Sequence, residues 1–162
     1  MLSQEQQEKQ IAALLKKPEN ALCADCSSKS PCCNSYIYAG ASLDFGVFVC
    51  MNCSGAHRSL GQSVTRIKST KLDTWNRDWL WHMQLNNKMI NQYFEATLNP
   101  VLHKYRIFNS RKPNPSSSLN DIKKFVYDKY VRKLFAQPNQ DDPITNLRNN
   151  KSPLSEPPKV PQ

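Results

Sequence analysis

Cys50-Met51-Asn52-Cys53-Ser54-Gly55-Ala56-His57-Arg58-Ser59-Leu60-Gly61 opens on a C-x-x-C turn and ends on a glycine. Such a turn sets two thiolates on one side of a knuckle, close enough to share a tetrahedral ion. Upstream, Cys23 and Cys26 form a second pair, which completes C-x2-C-x23-C-x2-C. Two such turns make a closed four-thiolate site with no position left for water. The site is therefore structural, and its binding energy is folding energy. One Zn²⁺ held by Cys23, Cys26, Cys50 and Cys53 is the expected cofactor. A redox dithiol normally uses one pair beside a βαβ unit. Cys32 or Cys33 as a replacement ligand is the other alternative, although the polar stretch around them favours an exposed loop. RING and LIM modules need eight ligands, and His57, His82 and His103 do not supply that spacing. A zinc deaminase needs H-x-E and P-C-x-x-C, whereas Leu22 and Val49 stand where the proline belongs.

Between Cys50 and Gly61 the spacing predicts a short helix, stopped by the glycine. Arg58, five residues past Cys53, then sits beside the ion on a rigid mount. Farther out, Ser42 to Val49 and Val64 to Lys68 read as strands, and Tyr36 to Tyr38 as a short third. Residues 3–17 read as a helix with a Ser3/Gln6 capping box and an Ile11, Leu14, Leu15 stripe. A helical region runs from an Asn76 cap to about Leu98, with Trp75 and Leu80 as a staple and Asn86-Asn87 as a break. Trp75, Trp79 and Trp81 are expected in the core. Residues 109–118 read as a loop. A last helix spans about Leu119 to Phe135, capped by Ser118, with Leu119, Ile122, Val126, Tyr130 and Leu134 as its buried stripe.

Residues 1–136 are expected to form one domain. Residues 137–162, rich in Pro and Asn, read as a disordered linker or the start of a truncated C-terminal region. No stretch approaches the roughly 20 apolar residues of a membrane span. Residues 4–10 carry no apolar signal segment, so a cytosolic location is the expectation. The formal charge is +9, nearer about +7 with four zinc-bound thiolates. A basic surface of this kind suits nucleic acid, anionic lipid or an acidic protein face, and charge alone does not choose.

Gly46-Val47-Phe48-Val49-Cys50, Cys53-Ser54-Gly55, His57-Arg58 and Leu60-Gly61 stand in one run. Arg66-Ile67-Lys68-Ser69 and Leu72-Asp73 before Trp75 follow it. With Asn87, Asn91, Tyr93-Phe94-Glu95 and the closing Phe125 to Ala136, they resemble the Arf GTPase-activating (ArfGAP) zinc-finger family over roughly residues 5–136. The resemblance implies an α+β fold: a small four-cysteine zinc-finger domain with a short, about three-stranded antiparallel sheet surrounded by helices. It implies an enzyme activator whose partner is a GTP-bound Arf-family GTPase carrying its own Mg²⁺. It also implies that Arg58 is an arginine finger, the single catalytic residue of this chain. On that reading the chain regulates vesicle traffic from the cytoplasm at Golgi or endosomal membranes, with no nucleic acid bound. His57 is assigned a structural role, and Arg66 and Lys68 are candidate contacts to the GTPase. Two departures stand out. The 23-residue spacer exceeds the family's, and Gly40 stands where the family carries a Trp before Ala41-Ser42. Tyr36 or Tyr38 is a candidate to fill that gap. The alternatives are a non-catalytic scaffold that binds an Arf GTPase and a nucleic-acid-binding zinc finger.

Overall fold

The computed structural model describes residues 2–28, 40–98 and 112–154. Helix α1 (Gln4–Leu15) begins at the expected capping box: the Ser3 side chain accepts from the Gln6 amide, and the Gln6 side chain accepts from the Ser3 amide. Its Ile11 and Leu14 are buried. Asn20 closes the following turn by donating to the Leu14 carbonyl.

The stretch from Ser42 to Val49, read as one strand, is a hairpin. Strand β1 (Gly40–Ser42) pairs antiparallel with β2 (Val47–Val49), with Ala41 opposite Phe48. Residues 43–46 form the turn between them, closed by the Gly46 amide on the Ser42 carbonyl at 2.8 Å. Leu43 is fully buried and Phe45 packs against the core, so apolar alternation runs through the turn and mimics a continuous strand. Gly46 has φ +73°, and a Cβ there would meet Ile144 Cδ1 at 2.8 Å, so glycine is required. The third strand, β3, is only Ile67–Lys68, and it pairs with the other edge of β1. The sheet order is β2-β1-β3. The Tyr36 to Tyr38 strand candidate lies outside the described residues, as do Cys32, Cys33 and His103.

Helix α2 (Met51–Ser59) leaves β2 directly. The long helical region divides as its asparagines predict. Asn76 caps α3 (Arg77–His82) by accepting from the Trp79 amide. Asn86, at φ +68°, caps α4 (Asn87–Phe94) by accepting from the Met89 amide. Trp75 is in the core, but Trp81 is 43% exposed, against expectation: α3 is a short helix that turns it outward.

Helix α5 (Leu119–Val126) is capped by Ser118 and runs into a π-helical turn at Tyr127–Val131. Leu119, in the exposed first turn of the helix, and Leu134, beyond the end of the π-turn, are exposed rather than buried. The inward face is Ile122, Phe125, Val126, Lys129 and Tyr130.

The unstructured tail expected after residue 136 does not hold for residues 137–154. Asp142 caps a further helix, α6 (Pro143–Arg148), whose Ile144 is buried against Gly46. The Tyr93 hydroxyl donates to the Gln140 carbonyl at 2.9 Å, and Arg148 reaches Asp44 at 3.6 Å. Ile144 in the core, with Leu147 and Leu154 packed against it and the polar ties just named, anchors a mostly polar segment, which average composition hides. Ile144→Ala is expected to lower stability by about 2–5 kcal/mol, measurable as an earlier urea midpoint with an unchanged slope.

Candidate metal centre and the helix that follows it

Cys23, Cys26 and Cys53 are buried and Cys50 is half-buried. Their four Sγ atoms lie within 4.8 Å of one another, with Cys26 and Cys50 3.6 Å apart. A tetrahedral ion with metal–sulfur bonds near 2.3 Å would space its sulfurs by about 3.8 Å. The donor set and its spacing therefore suit one zinc ion. The main-chain amide of Cys50 points at Cys23 Sγ from 3.3 Å, and Ser28 Oγ lies 2.9 Å from Cys26 Sγ. Donors of this kind orient thiolate ligands. Hydrogen bonding with Cys23 drives the Cys26 thiol far down and Cys50 down to about 7. Contact with Cys26 pushes Cys23 up, and contact with Cys23 pushes Cys53 up.

Asparagines position both knuckles. Asn87 accepts from the Phe48 amide at 2.7 Å and donates to the Leu22 and Phe48 carbonyls, so one amide ties the chain entering each knuckle to α4. One turn later Asn91 donates to the Ala24 carbonyl.

A buried polar network joins the knuckles to the closing helix. His57 is fully buried, with Nε2 2.5 Å from Asp25 Oδ2 and Nδ1 3.1 Å from Ser42 Oγ. It therefore has the structural role expected of it: both ring nitrogens are engaged, and α2 is pinned to the first knuckle and to β1. Asp25 Oδ1 accepts from Lys129 Nζ at 2.9 Å and from the Tyr130 hydroxyl at 2.6 Å. Lys129, also fully buried, donates to Asn91 Oδ1 and Glu95 Oε2 as well. Burial alone would raise the Asp25 pKa, but Lys129 and His57 outweigh it and hold the carboxyl well below the carboxylate range. Burial would lower Lys129, and the charges of Asp25 and Glu95 raise it instead. Lys129→Met leaves two carboxylates without their shared cation. It is expected to destabilise the fold by about 3–5 kcal/mol, read from chemical denaturation at constant zinc.

Arg58 stands on the opposite side of α2. Cys53, Ala56 and His57 face inward, while Met51, Gly55 and Arg58, at i, i+4 and i+7, face solvent. The Arg58 side chain is exposed and makes no hydrogen bond or ion pair among the described residues. The other basic candidates are engaged. Arg66 grips Asp44 through its amide and its guanidinium, and Lys68 lies 4.9 Å over the Trp79 ring. Gly40 fits its place: a Cβ there would meet Ser54 Oγ at 2.7 Å and Ile67 Cγ2 at 3.1 Å.

The ArfGap family model, described as "Putative GTPase activating protein for Arf", matches residues 8–139. The chain belongs to the ArfGap family. This ArfGap chain is 32% identical over 151 residues to human "Stromal membrane-associated protein 1", covering 93% of the chain and 28% of that relative. It is 39% identical over 127 residues to the Saccharomyces cerevisiae "ADP-ribosylation factor GTPase-activating protein effector protein 2", covering 76% of the chain and 39% of that relative. The ArfGap chain thus spans less than half the length of these curated relatives. In fold it is similar to the "ArfGap domain of HIV-1 Rev binding protein", with a TM-score of 0.64 at 23% identity over 83% of this chain and 90% of that one. Sequence reasoning found the four thiols and the exposed Arg58, but it missed Asp25 and Lys129. The only signal for them was an acid between two ligands and a lysine on an apolar helix face.

Proposed function

We propose that this ArfGap domain accelerates GTP hydrolysis on an Arf-type small GTPase by supplying Arg58 in trans, on a scaffold held by one structural Zn²⁺. The carrying observation is a contrast on one helix: His57 is locked on both ring nitrogens, while its neighbour Arg58 is exposed and unpaired among the described residues. The mount is fixed and the guanidinium is free for another molecule. GTP hydrolysis spreads negative charge over the γ-phosphoryl oxygens, and a guanidinium inserted there stabilises it. Arginine stays charged and offers a planar fork of donors.

The zinc, bound by Cys23, Cys26, Cys50 and Cys53, would supply structural rigidity and no chemistry on the nucleotide. Within this chain His57, Asp25 and Lys129 hold α2, Met51 offers an apolar contact beside the finger, and Arg58 carries the charge. The Mg²⁺ and the group that orients the attacking water belong to the GTPase. On this reading the chain works in the cytoplasm at Golgi or endosomal membranes. Single-turnover hydrolysis across a panel of GTP-loaded small GTPases, wild type beside Arg58→Ala, tests it. Acceleration confined to Arf proteins and lost in the variant supports the proposal; acceleration of none refutes it.

A further inference from the structure

Of the chain's four glycines, three answer to the fold itself. Gly40 and Gly46 have no room for a Cβ, and Gly61 ends its turn at φ +90°. Gly55 has no such reason. It sits at the centre of α2, where glycine is the poorest helix former after proline. Its φ is not positive, and a Cβ built on it meets nothing within 4 Å. By the rules of an isolated domain, alanine belongs here.

The surroundings of Gly55 point outward. It lies on the solvent stripe of α2, one turn after Met51, which is 71% exposed, and three residues before Arg58. A bare stretch of helix backbone therefore separates an exposed apolar side chain from an unpaired cation. Glycine in such a place permits another main chain to come closer to the helix than any side chain would allow.

We infer that Gly55 is the seat for the main chain of the partner GTPase, the close approach that lets Arg58 reach the nucleotide phosphates. This rests on the function proposed above. The occupant follows from charge: the cation beside the seat is free, and an Arf GTPase brings a bound triphosphate to meet it. The missing methyl group shortens the distance the guanidinium must span, so docking depth and finger reach are set by the same residue.

The test uses the full chain with Gly55→Ala and Gly55→Leu. Both substitutions favour the helix, so each variant is expected to melt about 2–8 °C higher than wild type. In single-turnover assays the chain concentration giving half-maximal acceleration is expected to rise roughly tenfold for alanine and about a hundredfold or more for leucine. More stable yet weaker is an outcome that a purely structural glycine does not produce. A lower melting temperature for Gly55→Ala would show that the glycine serves the fold and overturn the inference. Unchanged half-saturation in both variants would overturn it as well. If wild type accelerates no GTPase, the functional reading falls and takes the seat with it. If wild type is active and Gly55→Leu matches it, only the seat falls.

Discussion

Replacing Arg58 with alanine is expected to lower the rate of GTP hydrolysis at saturating chain by about 10³- to 10⁵-fold. The folded state should be untouched, because the side chain is exposed and holds nothing among the described residues. The melting curve and the metal content of the variant should therefore overlay those of wild type. That combination separates a finger from a structural arginine, whose loss would move stability first. Arg58→Lys is expected to recover little of the rate, since an ammonium is a point charge and cannot reproduce a planar fork. Full acceleration by a folded Arg58→Ala chain would remove Arg58 from the chemistry.

Stripping the metal is expected to unfold the domain. Zinc bound by structural sites of this kind contributes apparent free energies of about 10–16 kcal/mol, comparable to or larger than the roughly 5–15 kcal/mol that separates most folded domains from their unfolded chains. Cys23, Cys26 and Cys53 are themselves in the hydrophobic core, next to Ala24, Val49 and Ala56. Without the ion these sulfurs, 4.8 Å or less apart, are joined only by weak thiol hydrogen bonds. A strong chelator should abolish the cooperative melting transition, and Cys53→Ser should do the same in the presence of zinc. Elemental analysis should return one zinc per chain. Two per chain, or a cooperative fold with none, would contradict the four-thiolate site.

The metal centre was legible because its chemistry is written in local spacing: two C-x-x-C turns admit few other uses. The helix caps at Ser3, Asn76 and Ser118 were legible for the same reason, each being a short-range contact between a side chain and an amide a few residues on; Asn86 was legible only as a break, not as the cap of α4. What was not legible depends on chain segments far apart in sequence. Asp25 and Lys129 are separated by more than a hundred residues, and nothing about either residue alone indicates that it is buried. The hairpin was hidden because Leu43 and Phe45 bury from within a turn. The closing helix departs from its expected stripe at both ends: Leu119 lies in an exposed first turn, and the π-turn breaks the ideal period before Leu134. Helix α6 was missed because composition averages over a segment, whereas a few apolar side chains, Ile144 with Leu147 and Leu154, are what seat it on the core.

The π-turn at Tyr127–Val131 gives the closing helix a phase as well as a composition. Asp128, Lys129 and Tyr130 are consecutive and all buried, an arrangement that ordinary α-helical winding, at about 100° per residue, spreads over more than half the circumference. Deleting one residue in this turn would restore regular winding and swing Lys129 off its four acceptors, although no side-chain type had changed. The length of this helix is thus fixed to the single residue. A helix transplanted here from another scaffold must carry the same extra residue at the same point.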